Sequence, residues 1–99
     1  MNIVETAEDG KTVLTVTGNI DSNTANDLQQ AILTAFTQND HVILDLSGVG
    51  YSSSVGLRAL LLGHKTAMSK GGSMVIRGVG PALMGIINTV GFDKVLNIQ

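Results

Sequence analysis

Three consecutive serines, Ser52, Ser53 and Ser54, stand between an apolar run and a segment of helical periodicity. A serine at a helix start has four chemical uses. It can cap the helix by accepting a backbone N–H, attack an electrophile, help hold an anion, or accept a phosphoryl group. Capping needs one serine and leaves two. Nucleophilic attack needs a base and an acid that orients it. The histidines are His41 and His64. His41 precedes the apolar run and so lies at its far end, and His64 lies roughly 15 Å down the helix at about 1.5 Å per residue. No glycine after Gly50-Tyr51-Ser52 completes a nucleophile elbow. Anion binding lacks a P-loop lysine, and Gly78-Val79-Gly80 lacks the third glycine of a dinucleotide fingerprint. No enzymatic activity and no cofactor are expected, which leaves capping and phosphorylation.

The elements that must position these serines follow from periodicity. Asn2 to Thr6 reads as a strand, Asp9-Gly10 as a turn and Lys11 to Thr17 as a second strand, giving an antiparallel hairpin. Ala25, Leu28, Ile32, Ala35 and Phe36 recur at helical spacing and predict a first helix from about Thr24 to Phe36, capped by Ser22 or Thr24. His41 to Leu46 is almost continuously apolar, as expected of a strand buried on both faces. A second helix is predicted over about Ser54 to Lys70, with Leu57, Leu60, Leu61, His64 and Met68 on its apolar stripe. Gly71-Gly72 ends it. Ser73 to Arg77 reads as a strand, Pro81 opens a third helix, and Lys94 to Ile98 reads as a last short strand. The order β-β-α-β-α-β-α-β predicts one α/β domain over residues 1–99, with a mostly parallel mixed sheet of about five strands and about three helices.

Charge and composition narrow the ligand. A net charge of −2 with scattered lysines and arginines argues against nucleic acid, whose phosphates demand clustered cations. The absence of cysteine removes disulfides, thiolate catalysis and cysteine-based zinc sites, and no metal is expected. The longest strongly apolar run, Ala59 to Leu62, is too short for direct membrane insertion. The first residues lack the basic region of a secretory signal, so a cytoplasmic location is expected.

Three stretches carry a family resemblance. They are Gly18-Asn19-Ile20-Asp21, the central Leu44-Asp45-Leu46-Ser47-Gly48-Val49-Gly50-Tyr51-Ser52-Ser53-Ser54-Val55-Gly56-Leu57, and Val90-Gly91-Phe92-Asp93-Lys94-Val95. With these, nearly the whole chain resembles the STAS domain, and within it the bacterial anti-sigma factor antagonists. In that family the serine directly after an Asp, in a D-S-S-G-L segment, is phosphorylated by an anti-sigma factor that is also a serine kinase. A PP2C-type phosphatase reverses the modification. Counted back from Gly56-Leu57, that serine matches Ser54, the family's Asp falls on Ser53 and its second serine on Val55. The resemblance thus implies Ser54 as the acceptor, with Ser53 as the alternative.

The partner surface implied is Asp21, Ser52, Ser53, Gly56, Leu57 and Arg58. Asp21 is expected either beside the serines or as a cap before the first helix. The function implied is partner switching in transcription regulation. The unphosphorylated form binds the kinase and frees a sigma factor, and the phosphorylated form lets the kinase go. The alternative is a STAS scaffold subunit of a larger regulatory or transport assembly whose serine is never modified.

Overall fold

The computed structural model describes residues 1–99. Its elements are β1 (Asn2–Glu8), β2 (Lys11–Thr17), α1 (Ala25–Gln38), β3 (His41–Gly48), α2 (Ser54–Ser69), β4 (Ser73–Arg77), α3 (Pro81–Thr89), a 3-10 turn (Phe92–Lys94) and β5 (Asn97–Ile98). The expected class and element order are found. Asp9 (φ 53°) and Gly10 (φ 79°) form a two-residue hairpin link with both residues left-handed, which lets β1 pair two residues beyond Thr6. α2 ends at Gly71 (φ 68°), where the Gly71 N–H donates to Met68 O and the Gly72 N–H to Ala67 O, at 3.2 and 2.9 Å. That paired capping is why the two glycines stop the helix. β5 is shorter than the expected Lys94 to Ile98, because the chain after Gly91 winds into the 3-10 turn and sinks Leu96 into the core.

The strands lie in the order β1-β2-β3-β4-β5, with β1 antiparallel and the remaining neighbours parallel. Each parallel crossover steps to the next strand in the same direction. Right-handed crossovers that all step one way put their helices on one face. The core therefore lies on a single side of the sheet, where Leu14, Leu44 and Ile76 meet Phe36 of α1, Leu60 of α2 and Ile87 of α3. β3 is accordingly buried on one face only, a correction to the two-sided burial expected from its composition. Val42, Leu44 and Leu46 are buried, whereas Ile43 and Asp45 between them are half-buried. The buried arc of α2 is also rotated from the expected stripe. Gly56, Leu57, Ala59, Leu60, Gly63 and Ala67 face inward, Leu61 and His64 are half-buried, and Met68 is 57% exposed. No helix is long and apolar enough to cross a membrane.

The face without helices is tied by ions. Arg77 on β4 pairs with Asp45 on β3 (Nε to Oδ2, 3.1 Å) and with Glu8 at the end of β1 (Nη2 to Oε2, 3.1 Å). Two strands separate β1 from β4, so the sheet must coil for Glu8 and Arg77 to meet. A right-handed twist lifts diagonally opposite ends of a sheet toward the same face, and Glu8 and Arg77 lie at diagonally opposite ends of its β1 to β4 part. The Ser47 backbone N–H and then its hydroxyl, with Arg77 after them, hold the Asp45 carboxyl below its ordinary pKa of 3.8. A carboxylate with a lowered folded-state pKa stabilises the fold above its ordinary value. That stability is lost as pH falls through the lowered one. Asp45→Asn should therefore cost about 1 kcal/mol in urea denaturation at neutral pH. The gap to wild type should close as both are taken below pH 3.8; a gap that stays constant with pH would contradict the assignment.

Candidate functional site

β3 ends in a bulge. While β2 advances from Thr15 to Thr17, β3 advances from Asp45 to Gly48, one residue more. Gly48 lies close against β2, since an added Cβ would stand 3.0 Å from Val16 O and 3.2 Å from Thr17 Cα. Beyond the bulge the chain pairs again with the segment that follows β2. The Ile20 N–H donates to Tyr51 O at 3.0 Å and the Ser53 N–H to Ile20 O at 2.8 Å, an isolated parallel bridge between Ile20 and Ser52. The serine loop is thereby clamped to the lead-in of α1.

This bridge sorts the three serines. Ser52 is 1% exposed, and its Oγ donates to Ser53 O at 3.0 Å. Ser53 is half-buried and is the N-cap of α2. Its backbone is extended (φ −73°, ψ 169°) and its Oγ accepts the Gly56 N–H at 3.2 Å. Ser54 is the first helical residue, and it is exposed with its hydroxyl uncommitted. The N–H groups of Ser54 and Val55 precede the first intrahelical bond, from the Leu57 N–H to Ser53 O at 3.1 Å.

Half of the expected partner surface proves to lie beneath the surface. Ser52, Gly56 and Leu57 are buried, while Asp21, Ser53 and Arg58 reach solvent. Gly56 sits directly on the bridge, and a Cβ there would collide with Ser52 Oγ and Ile20 Cγ2. These three residues lie beneath the exposed side chains around Ser54. Two apolar side chains outside that expected surface flank Ser54 instead: Tyr51 is 50% exposed and Val55 is 42% exposed. Val55 could have been found from its place off the buried arc of α2.

Asp21 takes the capping role, one turn ahead of α1. Its Oδ1 accepts the Thr24 N–H at 3.0 Å and the Asn23 N–H at 2.8 Å, and Thr24 Oγ1 in return accepts the Asp21 N–H at 2.9 Å. This is the reciprocal pattern of a capping box. Neither Ser22 nor Thr24 caps α1 through its side chain, because Thr24 already has helical dihedrals (φ −99°, ψ −15°). The same backbone N–H groups, of Thr24 and then Asn23, hold the Asp21 carboxyl below its ordinary range. Ile20 in the bridge keeps this fixed negative charge beside the serine loop. His41 lies at the other end of β3, with Nδ1 2.9 Å from Ser73 Oγ.

Gly56→Ala should destabilise the domain by about 2 kcal/mol, because the helix start must lift off the bridge. Ser54→Ala should change stability by no more than about 0.5 kcal/mol, as for an exposed side chain with no partner. Thermal or urea unfolding of the two variants checks both, and a well-tolerated Gly56→Ala would contradict the packing described.

A family profile described as "Mlab, STAS domain" matches residues 3–97. The chain is similar to an anti-sigma factor antagonist from Mycobacterium paratuberculosis, at 31% identity and a TM-score of 0.87, over 98% of this chain and 83% of that one. It is similar in fold to the Bacillus cell fate determinant SpoIIAA in its phosphorylated form, at 14% identity and a TM-score of 0.74, over 99% of this chain and 91% of that one. A sulfate transporter family protein from Wolinella succinogenes shares the fold at 21% identity and a TM-score of 0.79, over 93% of this chain and 75% of that one. With the profile spanning nearly every residue, the chain belongs to the STAS domain family, in its anti-sigma factor antagonist branch.

Proposed function

We propose that this chain is an anti-sigma factor antagonist that binds an anti-sigma factor serine kinase through the surface at the start of α2. Phosphorylation of Ser54 releases the kinase, and a PP2C-type phosphatase restores the binding form. The observation that carries this reading is the sorting of the serines. Ser54 alone is exposed with a free hydroxyl, while Ser53 is committed as the helix cap and Ser52 is buried. The relative from Mycobacterium paratuberculosis is itself an anti-sigma factor antagonist, and SpoIIAA exists in a phosphorylated form. The exposed helix start supports a role in recognition.

The position of Ser54 explains how a phosphate would act. Phosphoserine carries about −1.5 to −2 charges. At the first position of a helix that charge faces free N–H groups and the positive end of the dipole, so the fold tolerates it. Its effect falls on whatever is docked there. A partner carboxylate about 6 Å away would meet about 3 kcal/mol of repulsion at an effective dielectric of about 20, roughly a hundredfold in affinity before screening. The charged Asp21 beside the loop acts in the same sense.

Incubation with the kinase and ATP, followed by mass spectrometry, should place a single phosphate on Ser54, and Ser54→Ala should abolish it. Ser54→Asp should keep its fold and bind the kinase about tenfold or more weakly. Modification of Ser53, or of Ser54→Ala to the wild-type extent, would overturn the choice of serine. A chain that binds the kinase and is never modified would favour the scaffold reading.

A further inference from the structure

We infer that the outer face of α2 receives an acidic amphipathic helix of the partner. This rests on the reading above, that the start of α2 faces a partner, and specifies the kind of surface that docks. The chain has eight acidic and six basic residues, yet α2 contains Arg58, His64 and Lys65 and not one Asp or Glu. Arg58 and Lys65 are both exposed. Seven residues apart, they stand on one side of the helix about 10 Å from each other along its axis. The ion pairs of the protein all belong to Arg77, so Arg58 and Lys65 have no acid of their own.

Apolar side chains accompany the two cations. Val55 is 42% exposed, Leu61 and Leu62 are half-buried, and Met68 lies out at the far end. At about 100° per residue, Val55 and Leu62 line one edge of the Arg58–Lys65 row, and Leu61 and Met68 line the other. The buried Gly56, Ala59, Leu60, Gly63 and Ala67 point the opposite way. A row of cations between two apolar edges, with no anion in it, complements a helix that carries acids two turns apart on an apolar stripe. An anionic lipid surface has the same sign. It is broad, however, whereas the row is narrow, two cations about 10 Å apart between apolar edges, and matches a single helix laid along α2.

The placement also connects the surface to Ser54. Ser54 precedes Arg58 by four residues and shares its side of the helix, so a phosphate there comes within reach of the guanidinium. The phosphate would draw Arg58 away from the partner's acid and leave negative charge in its place. Release then follows from inverted charge and needs no steric block.

The test is an NMR titration of the full chain with two synthetic helical peptides of about five turns, both with a leucine stripe. One carries Glu residues seven apart and the other Lys. Vesicles containing phosphatidylglycerol form a third arm. The acidic peptide should shift Val55, Arg58, Leu62 and Lys65, and the Lys peptide and the vesicles should not bind. An Arg58→Glu, Lys65→Glu double variant, shown to be folded by circular dichroism, should lose about tenfold or more in affinity for the acidic peptide and for the kinase. Failure of the acidic peptide to bind, equal binding of both peptides, shifts on another face, binding to vesicles in its place, or a double variant that still binds the kinase fully would each overturn the inference. Peptide binding without any kinase binding would instead sink the functional reading and leave the surface standing.

Discussion

Two backbone hydrogen bonds, from the Ile20 N–H to Tyr51 O and from the Ser53 N–H to Ile20 O, set the geometry on which the site depends. They hold residues 51 to 53 extended beside the lead-in of α1. In an extended segment side chains alternate between faces. Tyr51 and Ser53 accordingly turn outward and Ser52 turns inward. The phase of that alternation decides which serine caps α2 and which becomes its first exposed residue. A slip of one residue would bury a different serine and move the free hydroxyl. Gly56 is the matching constraint from the helix side, since only a residue without Cβ lets α2 start this close to Ile20 and Ser52.

The topology prepares this arrangement. A sheet whose parallel crossovers all step the same way has its helices on one side, and α2 lies among them with a small-residue arc against the core. Its outer side is left to solvent, which is why Arg58 and Lys65 are available. The opposite sheet face is closed only in part, by the coil that brings Glu8 to Arg77 and Asp45. Exposed pairs of that kind contribute modestly, so the domain is held chiefly by its aliphatic one-sided core.

Much of this was legible in the sequence because it is local. The hairpin link at Asp9-Gly10, the end of α2 at Gly71-Gly72 and the start of α3 at Pro81 each follow from what those residue types allow the backbone to do. Ser54 stands apart from these, because it rests on the family resemblance, with the D-S-S-G-L segment matched onto Gly56-Leu57. What escaped is non-local. The bridge joins Ser52 to a residue far away in the chain, and no property of a serine announces that it will be the buried one. Arg77 and Glu8, 69 positions apart, meet only because the sheet coils. The apolar run of β3 resembled a strand buried twice over, but the order of strands left one face without helices. Ser22 and Thr24 are both residue types that cap helices, but the carboxylate of Asp21 occupies the preceding turn and accepts the N–H groups there.

Because the bridge holds Ser54 at the start of α2, a phosphate there would alter the surface and leave the fold intact. Native-state hydrogen exchange of the unmodified chain and of a chain carrying phosphoserine at position 54 tests this most directly. Protection of the Ile20 and Ser53 amides and throughout α2 should be equal in the two forms or higher in the phosphorylated one. Lost protection at those amides, or along α2, would show that the phosphate acts by unfolding the site and would contradict the account.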